Sequence, residues 1–299
     1  MHVKFVEVGP RDGFQSVKQY IPTETKIEII EGIISTGVKK IQLSSFVSPK
    51  AIPQMQDASE IFKHFLDKYE NSEIEFFALV PNYKGAENAY NIGVREVSYV
   101  ISVSESHNKA NVNKTHDESF MELEKIMKTY KDLKVCLDVA TAFGCPFEGE
   151  TNLASLMSFL KIGYELGVRN FNICDTIGVA YPTQVQKYTQ TILQSYKDCN
   201  FDIHIHDTRN MGIVNTLTAI QEGIMNVQTA LGGLGGCPFA PGASGNTSTE
   251  DMVYMLEKMN ISTGINFEQL MSIAKYQKDV VKGNFSGHHI NIEQVNCNS

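Results

Sequence analysis

The sequence predicts an α/β fold: a closed (β/α)8 barrel of the TIM type with a short C-terminal helical extension. Short aliphatic runs alternate with amphipathic stretches of helical period, eight such strand–helix pairs follow one another at fairly even spacing, and no linker or low-complexity segment divides them. Alternating β and α segments make a parallel sheet, and eight repeats are the number that closes it. An open doubly wound sheet is the competing topology. It is disfavoured in its dinucleotide-binding form because no G-x-G-x-x-G follows the first strand.

Residues 3–8 read as the first strand, followed by the loop Gly9-Pro10-Arg11-Asp12-Gly13. Residues 23–35 read as a helix, with Thr23 as N-cap and Gly37 as its stop. The second strand, 38–43, closes on Gln42 and leads into Ser44-Ser45-Phe46-Val47-Ser48-Pro49-Lys50. A helix over 57–69, a strand over 74–80 and a helix from Pro81-Asn82 to 91, stopped at Gly93, come next. The fourth strand, 94–103, opens into a polar loop, 104–115, before a helix over 118–131. The fifth strand, 133–140, is followed by the loop 141–150 and a helix over 153–166 that ends at Gly167. The sixth, 170–174, ends at Asp175-Thr176 and precedes a helix over 182–195. The seventh, 201–206, precedes a helix over 213–222 ended by Gly223. The eighth, 226–230, runs into a glycine-rich loop, 231–246, and a last helix over 250–259. Residues 267–282 add a helix outside the barrel, and the chain from Gly283 is polar and expected to be mobile. Residues 1–265 are accordingly read as the catalytic barrel, and 266–299 as a helix and tail packed on it.

With 42% hydrophobic and 20% charged residues the chain has the material for a large core. A net charge of -8 argues against nucleic acid or an anionic membrane surface as the main partner. No apolar run is long enough to span a membrane. The six cysteines include no C-x-x-C pair, which suits reduced thiols and a cytoplasmic protein. A strand begins almost at once, leaving no room for a signal or transit peptide.

In such a barrel the chemistry sits at the C-terminal ends of the strands. In Phe201-Asp202-Ile203-His204-Ile205-His206-Asp207-Thr208, strand period puts both imidazoles on one face and the isoleucines on the other. The same end of the barrel receives Arg11 and Asp12 after strand one, Gln42, Asp175, and Cys237 and Asn246 after strand eight. Two imidazoles, a carboxylate and an amide oxygen form a mixed N/O set that suits octahedral Mg²⁺ or Mn²⁺ better than closed tetrahedral zinc. Two histidines that merely alternate, Asp12 shaping a turn and Asn246 capping a helix are the plainer readings. The shared location favours the metal.

These residues fall in segments that resemble hydroxymethylglutaryl-CoA lyase: Val6-Glu7-Val8-Gly9-Pro10-Arg11-Asp12-Gly13, Ser45-Phe46-Val47-Ser48-Pro49-Lys50, Pro53-Gln54-Met55, Asp175-Thr176-Ile177-Gly178, His204-Ile205-His206-Asp207-Thr208, and the run from Gly232 through Cys237 to Asn246. The likeness extends from residue 3 to about residue 265. The cysteine loop is its most specific part, and the H-x-H-D strand is shared with the wider metal-dependent lyase and synthase superfamily. The resemblance implies a divalent-metal TIM barrel that cleaves 3-hydroxy-3-methylglutaryl-CoA to acetoacetate and acetyl-CoA, in leucine degradation and ketone-body metabolism. It implies Asp12, His204, His206 and Asn246 as metal ligands, Arg11 beside the developing enolate, and Cys237 as the proton-carrying thiol. Glu7, Asp175, Glu250 and Asp251 match acidic residues important in the family. Arg11, Cys237, His204, Gln42 and Asp175 are thus the expected catalytic set. Arg11, Gln15, Ser45, Thr176 and Arg209 are the expected contacts to an acyl-CoA substrate. A homodimer or higher homo-oligomer is expected.

Two positions depart from the family pattern. Gln42 stands where a glutamate would pair with Arg11, so Arg11 is expected to lose an ion-pair partner and the site to gain a positive charge. Arg209-Asn210-Met211 replaces the usual Tyr-Gly-Gln and is expected to bring another cation near the site. These changes frame the alternatives: a lyase or aldolase for a different 3-hydroxyacyl-CoA or hydroxy acid, slow on the methylglutaryl substrate, or a catalytically weakened acyl-CoA- or metal-binding paralogue. Retention of Arg11, both histidines and Cys237 argues against the last, and the cysteine loop argues against a 2-oxo-acid aldolase or synthase. His107 lies on the loop after strand four as a channel residue or a solvated one. Lys18 and Lys50 are candidate CoA phosphate contacts. Cys297, His288 and His289 are read as an ordinary free thiol and exposed tail residues.

Overall fold

A computed structural model describes residues 1–236 and 245–292. Its strands are β1 (Lys4–Glu7), β2 (Lys40–Ser45), β3 (Glu75–Val80), β4 (Glu96–Ser102), β5 (Lys134–Ala140), β6 (Gly144–Cys145), β7 (Gly149–Glu150), β8 (Asn170–Asp175), β9 (Asn200–Ile205) and β10 (Asn226–Thr229). All but β6 and β7 are parallel and close into a barrel in the order β1-β10-β9-β8-β5-β4-β3-β2. The fold is the predicted (β/α)8 TIM barrel. Alternation along each strand explains it. Phe201, Ile203 and Ile205 of β9, and Val135, Leu137 and Val139 of β5, are all buried against the helical layer. Each such side chain stabilises by roughly 1.5–3 kcal/mol. The intervening residues, among them Asp138, His204 and Gln228, face the barrel axis.

The helices are α1 (Thr23–Ser35), α2 (Ala58–Lys68), α3 (Tyr83–Asn91), α4 (Glu105–Val112), α5 (His116–Thr129), α6 (Leu153–Glu165), α7 (Pro182–Ser195), α8 (Gly212–Glu222), α9 (Thr249–Lys258) and α10 (Phe267–Val280). Several local expectations are corrected. Thr23 is the first helical residue of α1, not its cap: Pro22 precedes it without a side-chain bond, and the Thr23 hydroxyl donates to Asp57 Oδ2 at 3.0 Å. The polar stretch 104–115 is not all loop, because Ser104 accepts from His107 N and starts α4. In the next helix Thr115 and Glu118 form a capping box, which moves its start to His116. The loop 141–150 holds the small antiparallel ribbon β6–β7. Gln42 does not end its strand; β2 runs on to Ser45 past a bulge between Gln42 and Ser44.

The Pro53-Gln54-Met55 segment is structural. Gln54 Nε2 donates to Val17 O at 2.8 Å, and its Oε1 accepts from Ile21 N at 3.2 Å. Lys26, 1% exposed, binds the Gln54 carbonyl and both oxygens of Asp57. This buried pair fixes the segment that follows Arg11 and Asp12. Losing one partner of such a pair typically costs about 3–5 kcal/mol.

The stretch from Gly283 is anchored where described, through Ile292. Phe285 bridges Leu234, Ser286 Oγ donates to Gly233 O and Asn246 O at 3.1 Å, and the His288 and His289 amides donate to Asp251 at 2.7 and 2.9 Å. His288 is exposed as expected, whereas His289 is partly covered by Tyr254 and Phe267. α10 packs on α1, and Gln277 donates to Leu231 O at 2.9 Å. Tail and extra helix thus brace the two ends of the glycine-rich loop. Cys297 lies outside the described residues.

Glu250 sits under this brace. Its Oε2 accepts from Gly232 N at 2.9 Å, Oε1 has no hydrogen-bond partner among the described residues, and burial pushes the carboxyl up to about 8. A folded-state value above the ordinary 4.5 makes this group's contribution complete below about 4.5 and lost as pH rises through about 8. Glu250→Gln imitates the protonated acid. Its Tm relative to the parent is expected to climb between pH 5 and 8, by on the order of a few degrees. Calorimetric scans across that range check it, and a difference independent of pH contradicts it.

Candidate active site and metal centre

Arg11 and Asp12 leave β1 on a tight turn, Gly9–Gly13, whose Arg11 and Asp12 amides both return to Val8 O. The turn is held from below by Glu7. Its Oε1 accepts from Gly9 N and Leu231 N at 2.9 and 2.8 Å, and its Oε2 accepts from the Thr249 hydroxyl at 2.7 Å. His204 lies on β9 and His206 one step beyond its end. Asn246 is brought to His206 by an antiparallel bridge, with Asp207 N donating to Gly245 O at 2.8 Å. Gly245 has φ +93°, and a Cβ there would meet the Gly235 backbone at 2.5 Å, so only glycine lets the loop's two ends pass this closely.

Asp12, His204 and His206, all buried, each offer a ligand atom within 4.8 Å of the others. Asn246 Nδ2 donates to Asp12 Oδ2 at 2.8 Å, leaving Asn246 Oδ1 buried and without a partner among the described residues. The Nδ1 atoms of both histidines are likewise unpartnered. Unsatisfied buried acceptors of this kind cost about 1–3 kcal/mol each, which a cation bound among them offsets. Burial pushes His204 down to about 3, with His206 adding to the fall, so its imidazole is neutral and ligand-competent. Burial alone would raise the Asp12 carboxyl, but Arg11 and the imidazoles outweigh it and hold it well below the usual carboxylate range. The residues fit a divalent cation.

Arg11, 8% exposed, pairs with Asp12 through Nη1 and donates from Nε to Gln42 Oε1 at 2.5 Å. The expectation that Gln42 strips Arg11 of its ion partner is therefore corrected: Asp12 is the partner, and the Gln42 amide still accepts. Gln42 Nε2 in turn donates to Ser98 Oγ at 2.9 Å.

Arg11, Asp12, His204 and His206 line one cavity of roughly 780 Å³ at the C-terminal end of the barrel, together with Gln15, His107, Asp138, Asn172, Thr176 and Gln228, while Gln42 and Asn246 stand behind its wall. That is the size of a small-molecule site. Gln15 Nε2 reaches Asp12 Oδ1 at 3.0 Å, and Thr176 Oγ1 accepts from Thr141 N at 2.8 Å. His107 is a wall residue on α4, its Nδ1 2.7 Å from Ser102 Oγ, and burial pushes it down to about 4.

Other expected residues stand apart from the cavity. Asp175 is fully buried behind it, its oxygens accepting from Val179 N and Ala180 N at 2.9 and 3.0 Å. Gly178, φ +62°, makes that turn possible where a Cβ would strike Thr208. Ser45 is buried in β2 outside the cavity wall. Arg209 is exposed and off the cavity wall, donating to Ile177 O and Gly178 O at 3.2 and 2.8 Å, and its charge is felt by the buried Asp175 carboxyl. Lys18 and Lys50 are exposed and off the wall. Cys237 lies outside the described residues. The sequence reading missed Asp138, Asn172 and Gln228. The available signal was strand period: in Val135-Cys136-Leu137-Asp138-Val139-Ala140 a carboxylate occupies an inward position of an otherwise apolar strand.

The HMGL-like family model matches residues 2–276. Hydroxymethylglutaryl-CoA lyase YngG of Bacillus subtilis (strain 168) is 40% identical over 276 residues, 92% of this chain and 91% of that protein. The crystal structure of the Bacillus subtilis HMG-CoA lyase superposes with a TM-score of 0.90 at 37% identity, covering 97% of each chain. An HMG-CoA lyase from A. baumannii, solved in complex with coenzyme A and 3-methylmalate, superposes with a TM-score of 0.88 at 34% identity, covering 98% of this chain and 97% of that one.

Proposed function

Because the chain belongs to the HMGL-like family, we propose that its reaction is the cleavage of 3-hydroxy-3-methylglutaryl-CoA to acetoacetate and acetyl-CoA, dependent on Mg²⁺ or Mn²⁺. The carbon–carbon lyase class follows from its relatives. The observation that carries the reading is the convergence of Asp12, His204, His206 and Arg11 in one buried cavity. A lyase for another acyl-CoA is not favoured, because Arg11 keeps its carboxylate partner beside Gln42.

Asp12, His204 and His206, with Asn246 Oδ1, would hold the cation. When bound, the cation supplies a Lewis acid that polarises substrate oxygens. The substrate passes the proton of its tertiary hydroxyl to a neutral base, for which His204 of the expected catalytic set is the proposed acceptor, C2–C3 breaks, and the electron pair becomes the enolate of acetyl-CoA. Arg11, fixed by Asp12 and Gln42, presents a permanent positive charge to that enolate without reorganising. Thr176 and Gln15 are the proposed polar contacts to the acyl group. Asp175 and Glu7 act by shaping the turns that carry Thr176 and Arg11.

The enolate then takes a proton, and Cys237 is proposed as its carrier on the resemblance alone. Cys237→Ala is expected to lower turnover about a hundredfold while leaving divalent-ion affinity intact. Parent-rate turnover by that variant removes the thiol from the mechanism. Gln42→Glu is expected to slow the enzyme about tenfold rather than speed it. A carboxylate has no proton for Ser98 Oγ, whose single hydroxyl proton would be drawn from Asp138. A faster variant contradicts this.

The reading is tested with a panel of 3-hydroxyacyl-CoA esters and Mg²⁺ or Mn²⁺, identifying products by mass. Equal amounts of acetoacetate and acetyl-CoA from the methylglutaryl ester support it; cleavage only of another ester overturns it. A homo-oligomer, a cytoplasmic location and a place in leucine and ketone-body metabolism are part of the proposal. The resemblance supports the oligomer and the metabolic place, and the cytoplasmic location rests on the buried free thiols of Cys136, Cys145 and Cys174, which suit a reducing compartment. Among the described residues no helix is long and apolar enough to cross a membrane.

A further inference from the structure

The floor of the cavity carries a polar layer whose hydrogen bonds run toward the His204 imidazole. Strand register sets Gln228 of β10 level with His204 of β9. It sets Asp138 of β5, Asn172 of β8 and Asp202 of β9 level with one another, one inward position deeper. Asp138, Asn172 and Gln228 are buried and line the cavity with His204.

The orientation of every amide in this layer is dictated. Burial raises the Asp138 carboxyl to about 6, so near neutrality it is largely ionised and can only accept. Asn172 therefore turns Nδ2 to Asp138 Oδ1, at 3.0 Å. The same Nδ2 gives its second proton to Gln228 Oε1, at 3.1 Å. Gln228 Nε2 points the other way, to Asp202 Oδ2 at 3.4 Å, and Asn226 Nδ2 holds Asp202 Oδ1 at 3.0 Å. The Gln228 amide is thus pinned from both ends, with a second lone pair of Oε1 to spare. Gln228 hydrogen-bonds the His204 imidazole beside it.

A neutral imidazole carries one proton, and the nitrogen that holds it decides which lone pair is left. An acceptor at one nitrogen keeps the proton there and frees the other nitrogen for a cation. A donor in the same place does the reverse and puts the proton on the nitrogen that a cation needs.

We propose that Gln228 is the positioning residue of His204: its carboxamide oxygen, aimed by Asp138 through Asn172, holds the imidazole in the tautomer that can ligate a divalent cation. The proposal rests on the reading of His204 as a metal ligand. Gln228 touches neither substrate nor cation in this role and acts only through the ring.

Two readouts on the whole protein test it. One is calorimetric titration of the metal-free enzyme with Mn²⁺. The other is the His204 tautomer in the same metal-free protein, read by ¹⁵N NMR of labelled histidine and assigned by the signal lost in His204→Ala. Gln228→Leu is expected to bind Mn²⁺ about 10–100-fold more weakly, while Gln228→Glu, which can share a proton with Asp202 and still keep an acceptor, stays within about threefold of the parent. His204 is expected as one tautomer in the parent and in Gln228→Glu. It is expected as a mixture in Gln228→Leu, and in Asp138→Asn, whose amide no longer dictates which way Asn172 turns. Parent affinity in Gln228→Leu, equal losses in Gln228→Leu and Gln228→Glu, or one unchanged tautomer in Gln228→Leu overturns the positioning role. If Gln228→Leu does not fold, the near-isosteric Asp138→Asn carries the test, and an unchanged tautomer there overturns the proposal. A parent that binds no Mn²⁺ sinks the metal reading instead, and the tautomer comparison still decides the positioning.

Discussion

Replacing His204 or His206 by alanine is expected to abolish divalent-ion binding and turnover together. Each histidine is one of three convergent ligands on a buried set, and Asn246 Oδ1 beside them is an acceptor without a partner among the described residues. Two ligands and a void cannot hold a hydrated cation in place. The lost Lewis acid amounts to several kcal/mol of transition-state stabilisation, on the order of 10³-fold in rate. His204 and His206 sit at a strand end rather than in the apolar layer, so circular dichroism and Tm are expected to change little. Calorimetric titration with Mn²⁺ beside a rate assay checks both halves. A variant that still binds Mn²⁺ at parent affinity contradicts the ligand assignment even if it is inactive.

Arg11→Met is expected to lower kcat by about 10²–10³ while disturbing KM far less, because the guanidinium meets charge that develops only in the transition state. Arg11→Lys is expected to recover little. A lysine cannot make the fork that reaches Gln42 Oε1 from Nε and Asp12 from Nη1 at once. Equal losses in kcat for Arg11→Met and Arg209→Met would contradict the account, since Arg209 is spent on the carbonyls of Ile177 and Gly178 outside the cavity.

The barrel was legible because its signal is periodic and repeated. Eight alternations survive errors at single boundaries, and the missed start of α5 or the extension of β2 moved nothing of consequence. The metal set was legible for a similar reason: His204 and His206 share a strand face, and Arg11-Asp12 follows a strand directly. What escaped were features decided by long-range partners. Thr23 is drawn from capping by Asp57, thirty-four residues away. The tail from Gly283 is polar by composition, yet Asp251, Gly233 and Asn246 supply bonds that hold it. Charge substitutions misled most. Read along the chain, Gln42 is a lost carboxylate and Arg209 a gained cation. In space Asp12 pairs with Arg11, and two backbone carbonyls hold Arg209. Asp175 shows the converse: a motif carboxylate at a strand end whose acceptors are turned to its own loop.

The most direct measurement is turnover of 3-hydroxy-3-methylglutaryl-CoA by one preparation of the enzyme before chelation, after exhaustive chelation, and after re-addition of Mg²⁺ or Mn²⁺. The account predicts acetoacetate and acetyl-CoA in equal amounts, loss of both on chelation, and recovery with the ion in the parent but not in His206→Ala. Undiminished cleavage by the chelated enzyme, or no cleavage with either ion present, would contradict it.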